Sequence, residues 1–277
     1  MKRIDGLHDI ADQFDLYLVD QYGVLHDGVA AYPGAIDGLA RIQSSGRRAI
    51  VLTNSGKSAA DNQVRLAKLG FAESNYHAVV SSGEVGLQLV RNGALGPRFR
   101  GGADACVIGR SGDRYAFSSD DFNLVERPLD AAFLVFAGSD APRTSLQAYG
   151  RMLTTAAEAG VPAICVNPDI TMIRDGQLVP APGAIAEVYE SLGGRVEYVG
   201  KPHRAFFLHA LAVAATPGRA VMIGDSPEHD VCGARAMGFS TLLVRTGIHQ
   251  ALAEPELLSL CAACGGTPDF LAAAFRW

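Results

Sequence analysis

Short apolar runs alternate with amphipathic stretches along the whole chain. Eight runs are mostly apolar and four to six residues long: 16–19 (LYLV), 49–53 (AIVLT), 105–109 (ACVIG), 131–136 (AAFLVF), 162–166 (PAICV), 196–200 (VEYVG), 220–224 (AVMIG) and 240–244 (STLLV). Runs of that length and β-branched content read as strands buried on both faces. Between most of them the apolar spacing becomes helical, predicting helices over 34–45, 58–69, 83–92, 143–159, 183–193, 203–214 and 229–237. Several of these stop at a glycine (Gly46, Gly70, Gly160 and Gly238), the residue suited to the left-handed position after a helix. Strand–helix alternation of this kind predicts an α/β fold with a doubly wound parallel sheet.

Polar residues with chemistry in them gather where the apolar runs end. Asp20 closes the first run in LVDQYGVLHDG, Thr53 and Asn54 close the second in VLTNSGKS, Lys201 follows the sixth in YVGKPH, and Asp225 and Asp230 follow the seventh in VMIGDSPEHD. Carboxyl ends of strands are where open α/β sheets bind ligands. Thr53, Asn54 and Ser55 before a helix start offer hydroxyls, an amide and backbone N–H groups to an anion, with Lys57 to add charge, although the spacing is not that of a Walker A loop. The acids suit Mg²⁺, which prefers hard oxygen ligands. Each feature alone also reads as an ordinary cap, turn or solvated charge; together, at the ends of strands expected in one sheet, they read as one site. The stretch 83–180 alternates in the same way but has no comparable acid cluster, so a second domain is expected to be inserted there, with 1–82 and 181–277 forming the core and a ligand cleft between the two.

Composition narrows the function. The 277 residues carry a net charge of −5 and are 48% hydrophobic, with mean hydropathy +0.14. No basic stripe suggests nucleic-acid binding, no apolar run reaches the length of a membrane span, and the first residues lack the apolar stretch of a signal peptide, so a cytoplasmic protein is expected. Five scattered cysteines, an odd number, argue against a disulfide framework; the CAAC at 261–264 reads as structural, leaving the role of Cys261, Cys264 and the last twenty residues open.

The sequence resembles the class IIA phosphatases of the haloacid dehalogenase superfamily, the group of the 4-nitrophenyl phosphatases and N-acetylglucosamine-operon sugar phosphatases. The resemblance rests on DxxGVLhdG followed by PGA, on VLTN, NPD at 167–169, PGAIAEVYE, YVGKP and MIGDSPEHDVCGARAMGFSTLLVRTG, in that order. It implies a Rossmann-like core with an inserted α/β cap, and a Mg²⁺-dependent phosphatase acting on a small phosphorylated metabolite such as a sugar phosphate. Asp20 would be the nucleophile that becomes an aspartyl-phosphate; Thr53, with Asn54 and Ser55 nearby, would hold the phosphoryl group. Lys201 would hold nucleophile and phosphate together. Asp20, Asp225 and the backbone carbonyl of Tyr22 would ligate the metal, with Asp230 in support. Asn167 and Asp169 would bind substrate hydroxyls or close the cap, Arg174 would meet a second anionic group, and the family's caps sometimes mediate homodimers.

Position 22 departs from the pattern. Phosphatases of this superfamily usually carry a second aspartate there, as acid for the leaving oxygen and base for the attacking water. A phenol of ordinary pKa ~10 is a poor base at neutral pH. Hydrolysis would then be slow, or use His26 or Asp27 instead, or give way to phosphotransfer; a protein that only binds a phosphorylated ligand is the alternative from another class. His26 and Asp27 also read as a plain polar turn.

Overall fold

In a computed structural model of the chain, residues 1–216 and 218–277 are described. The strands are β1 (Lys2–Arg3), β2 (Leu16–Asp20), β3 (Arg48–Thr53), β4 (Ala78–Ser81), β5 (Asp104–Ile108), β6 (Asn123–Leu124), β7 (Phe133–Phe136), β8 (Pro162–Cys165), β9 (Thr171–Arg174), β10 (Gln177–Pro180), β11 (Arg195–Tyr198), β12 (Ala220–Gly224), β13 (Ser240–Val244) and β14 (Phe270–Ala272). The α-helices are α1 (Ala35–Ser44), α2 (Ala59–Lys68), α3 (Ser82–Arg91), α4 (Leu146–Glu158), α5 (Pro182–Ser191), α6 (Arg204–Ala214), α7 (Gly233–Ala236) and α8 (Glu254–Ala263). A wider π-helical turn, Pro227–Cys232, runs directly into α7.

The chain divides into two units. The first comprises 1–53, 60–80 and 201–277; the second comprises 54–59 and 81–200. The expected return to the core at 181 falls instead at Lys201, because β11 pairs in parallel with β8 and α5 packs on α4. An inserted α/β unit is present, but its far boundary lies twenty residues later than the pattern suggests.

The first unit is built on a seven-stranded sheet of order β1-β14-β13-β12-β2-β3-β4. The pairings from β1 through to β3 are parallel. Residues Leu16 to Asp20 are all buried, the continuous burial expected of a sheet covered on both faces. Tyr17, Val19, Val51, Val221 and Ile223 meet Leu39, Ile42 and Leu66 from the flanking helices in the main core. The register sets Asp20 opposite Leu52 on one side and Ile223 opposite Val19 on the other, so the last residues of β2, β3 and β12 end at one level.

The second unit has its own parallel sheet, of order β11-β8-β7-β5-β6, and a separate antiparallel hairpin, β9–β10, turning at Asp175-Gly176. Its core sets Leu134, Phe136, Ala163 and Cys165 against Tyr149, Leu153, Ile185 and Tyr189. Local caps mark its helices: the Ser81 and Ser145 side chains accept from the Glu84 and Ala148 N–H groups, and Pro182 occupies the first turn of α5.

Two further corrections concern the C-terminal region. Cys232 and Cys264 are disulfide-bonded, against the expectation from the odd cysteine count, while Cys106, Cys165 and Cys261 are free and buried. The unassigned tail folds back as α8 and β14, with Leu257, Cys261 and Leu271 packed on Val231 and Leu243. Among the described residues no helix is long and apolar enough to cross a membrane.

Candidate active site

The carboxyl edge of the first unit's sheet gathers three acids and one lysine. Asp20 ends β2 and Asp225 follows β12, its strand neighbour. Asp230 lies on the π-helical turn three residues after Pro227. One carboxylate oxygen from each of the three lies within 4.8 Å of the others, and all three residues are buried. The Lys201 ammonium donates to Asp20 Oδ1 and, at 2.6 Å, to Asp230 Oδ1. Lys201 itself is only 3% exposed, so this ion pair is screened little by solvent.

Backbone groups hold the acids in place. Asp230 Oδ2 accepts from the Ser226 N–H at 3.1 Å, and Asp225 Oδ2 accepts from the Ile248 N–H at 2.9 Å. Gly23 has φ +93°, and a Cβ there would collide with the Asp225 carboxylate, so glycine is required on both counts. The loop after β13, with Gly247 against the same carboxylate, was not singled out from the sequence; the glycine of RTG was its only local signal.

The electrostatics follow from crowding. Burial, ahead of repulsion from Asp230, pushes Asp225 up to about 7. Burial also drives Asp20 well above the usual carboxylate range, with Lys201 opposing. Burial opposes the charge on Lys201, but the attraction of Asp20 and Asp230 outweighs it and keeps the ammonium protonated. The three carboxylates thus share the Lys201 ammonium. A hard divalent cation suits this cluster: the donors are all oxygens, and burial discourages the ionisation of Asp20 and Asp225 unless a cation is near.

The structure places the other expected residues as follows. Thr53 closes β3 one residue beyond Leu52, Asp20's partner in the ladder, and is 7% exposed. Lys201 joins the acids as expected, but it follows a strand of the second unit's sheet, not of the same sheet as the acids. Asn54 and Ser55 fall in the second unit. There the Asn54 amide donates to Asp169 Oδ1 at 2.8 Å, and Asn167 Oδ1 accepts from the Asp169 N–H at 3.1 Å, so these three form one polar cluster. Lys57 pairs with Asp113 at 3.3 Å, and the Arg174 guanidinium donates to the carbonyls of Ser139 and Ala141.

Tyr22 is half-buried. Its ring meets His26 edge-on, with centroids 5.6 Å apart, and lies against Gly28. Burial raises the phenol pKa further, so it is neutral at any pH near 7. His26 is fully buried and has its pKa lowered to about 4 by burial. Its Nδ1 accepts from the Gly28 N–H at 2.9 Å, which puts the proton on Nε2, 3.2 Å from the Gln21 amide. The neighbouring Gln21 oxygen has no other partner, so a side chain turned to present that oxygen satisfies both groups. Asp27 is exposed and caps its own turn, accepting from the Val29 and Ala30 N–H groups at 2.8 Å each. Both residues therefore serve the loop, as the polar-turn reading expects.

Residues 17–123 match the model of the haloacid dehalogenase-like hydrolases, and residues 198–269 match a second model of HAD-like hydrolases. Human haloacid dehalogenase-like hydrolase domain-containing protein 2 is 30% identical over 244 residues, covering 87% of each chain. The chain belongs to the haloacid dehalogenase-like hydrolases. Bovine chronophin is 28% identical over 88% of this chain and 85% of its own. D-glycerol 3-phosphate phosphatase of Mycobacterium tuberculosis is 27% identical over 88% of this chain and 67% of its own. Among solved structures, a haloacid dehalogenase-like hydrolase from Brucella suis superposes with TM-score 0.83 at 28% identity, covering 98% of this chain and 99% of the other. The mycobacterial glycerol phosphate phosphatase in complex with calcium gives TM-score 0.67 at 26% identity over 86% and 68%. Within its family this hydrolase is a phosphatase.

Proposed function

We propose that this hydrolase is a Mg²⁺-dependent phosphatase of small phosphomonoesters, sugar phosphates or similar metabolites, that works through an aspartyl-phosphate on Asp20. The observation that carries the reading is the buried cluster Asp20–Lys201–Asp230–Asp225 at the carboxyl edge of one sheet. Asp20 attacks phosphorus in line, and the ester oxygen leaves. Lys201 grips one carboxylate oxygen of Asp20, fixing its orientation, and its charge offsets that of the incoming phosphate. Thr53, at the adjacent strand end, donates its hydroxyl to the phosphoryl oxygens, and Asn54, Ser55, Asn167 and Asp169 serve substrate binding. Asp20, Asp225 and the main-chain carbonyl of Tyr22 would hold Mg²⁺, with Asp230 in support; when bound, it neutralises charge on the transferring group.

A specific feature favours a second reading of the later half of the reaction. The neutral phenol of Tyr22 stands where an acid–base carboxylate is expected, and His26 and Asp27 are committed to the loop. Phosphoenzyme formation needs no base at Asp20, whereas activating water does. A phosphoenzyme that lasts long enough to pass its group to an alcohol acceptor is therefore the alternative, phosphotransfer. One experiment addresses both: 4-nitrophenyl phosphate and a panel of sugar phosphates with and without Mg²⁺, with and without glycerol as acceptor. Mg²⁺-dependent phosphate release supports hydrolysis, and 4-nitrophenol release in excess of free phosphate supports transfer. No product in any condition refutes the reading.

A further inference from the structure

The Asp225 carboxylate is held by two loops besides its own. Asp225 follows β12, and the strands on either side of β12 in the sheet are β2 and β13. The loops that leave those two strands meet over the end of β12. Gly23 (φ +93°) comes from the first and Gly247 (φ +74°) from the second, and a Cβ on either would run into the Asp225 carboxylate. A Cβ on Gly247 would also lie 2.7 Å from the Gly23 Cα, so the two backbones approach closely. The carboxylate sits in a slot with one glycine wall from each loop.

Thr246 joins the two walls. It is the N-cap of the 3₁₀ turn Gly247–His249, and a threonine there ordinarily accepts from the second or third N–H of its own turn. Here its side chain makes no such bond. The hydroxyl crosses to the other loop and donates to the Gly23 carbonyl at 2.5 Å. The N–H that it leaves behind, on Ile248, donates to Asp225 Oδ2 at 2.9 Å. The carboxylate thus caps the turn in the threonine's place, and the threonine is released to tie the loops together. On its other side Gly23 donates its N–H to the His26 carbonyl at 2.9 Å. Both peptide planes around this permissive residue are therefore tied, and the first of them carries the Tyr22 carbonyl, which points opposite to that N–H.

We propose that Thr246 is a positioning residue for the metal site: its hydroxyl latches the loop after β13 to the turn after β2, and so aims the Asp225 carboxylate and the Tyr22 carbonyl. This role rests on the Mg²⁺ reading above. The test is a titration of the full-length protein, without substrate, with Mn²⁺. That ion suits the same carboxylate and carbonyl oxygens as Mg²⁺, and its free form is counted by paramagnetic resonance. Thr246→Val keeps the shape and removes the donor, whereas Thr246→Ser keeps the donor. Thr246→Val is expected to weaken Mn²⁺ binding roughly tenfold, the scale of one hydrogen bond, and Thr246→Ser to retain it. Thr246→Ala, which admits water to the Gly23 carbonyl, is a second donor-free variant and should show the same loss. Urea unfolding of the metal-free proteins isolates a merely structural role, which lowers the midpoint and leaves the affinity of the folded protein alone. Wild-type affinity in both donor-free variants overturns the latch and leaves the Mg²⁺ reading intact, and a loss in Thr246→Ser equal to that in Thr246→Val does the same. A wild-type protein that binds neither Mn²⁺ nor Mg²⁺ overturns both.

Discussion

The molecule contains two parallel sheets with helices packed on them, and their carboxyl edges differ in one respect. In the first unit the ends of β2, β3 and β12 carry Asp20, Thr53 and Asp225, and the edge is crowded with charge. In the second, the ends of β5 and β7 are followed by Gly109 and Gly138, and the edge is filled by the Tyr115 ring. Topology offers both sheets the same opportunity at the strand ends. Which of them becomes a phosphoryl-transfer site depends on a handful of side chains, and above all on whether the edge can present oxygens to a cation.

The strongest way to break that contrast is to remove the charge from the first edge. Asp20→Asn is expected to lower 4-nitrophenyl phosphate turnover by at least about 10⁴-fold; phosphate release that persists at the wild-type rate excludes Asp20 as nucleophile. In the opposite direction, Tyr22→Asp supplies the missing acid–base group. An increase in the hydrolysis rate of roughly 10²–10⁴-fold is expected, and an unchanged rate would mean that another group already activates the water. Lys201→Met leaves buried carboxylates without their ammonium and should destabilise the protein by about 3–5 kcal/mol, read from urea unfolding; an effect below about 1 kcal/mol would show that the pair is not the clamp described. At the second edge, Tyr115→Ala removes the plug and is expected to cost about 3 kcal/mol by the same measurement. An effect of similar size, visible only in acid, concerns His26, held neutral by burial. Its folded-state pKa lies below the ordinary 6.5, so the stability it contributes is present above 6.5 and is lost as pH falls towards about 4. The loss should approach roughly 3 kcal/mol at the acid end and should be absent in His26→Gln.

Much of the first unit's charged edge was legible in the sequence because a buried strand that stops at a polar residue is a strong local signal. Asp20, Thr53 and Asp225 all carry it. Lys201 lies with the acids as expected, but the strand before it is half-exposed and belongs to the other sheet. Local periodicity cannot tell which sheet a strand joins, and the same blindness set the expected boundary at 181 in place of Lys201. The strands β4, β9 and β10 escaped notice for a different reason. Ala78–Ser81 is short and at a sheet edge, and Thr171–Arg174 and Gln177–Pro180 are half-exposed and mixed in polarity. The Cys232–Cys264 bond and the meeting of Tyr115 with Gly138 depend on proximity in space, which neither spacing nor composition encodes.

The junctions between the units have a consequence for anyone who would exchange one. The chain crosses at Thr53–Asn54, Ala59–Ala60, Val80–Ser81 and Gly200–Lys201. Two of these peptide bonds belong to residues of the proposed reaction centre. Insertion points in most proteins tolerate slack, because lengthening a loop costs little. Here a graft that lets out the chain at 200 loosens the attachment of Lys201 itself. A transplanted second unit would have to arrive with its 53/54 and 200/201 ends cut to the residue, whereas the 80/81 junction, at the turn from β4 into α3, could take a linker without touching the chemistry.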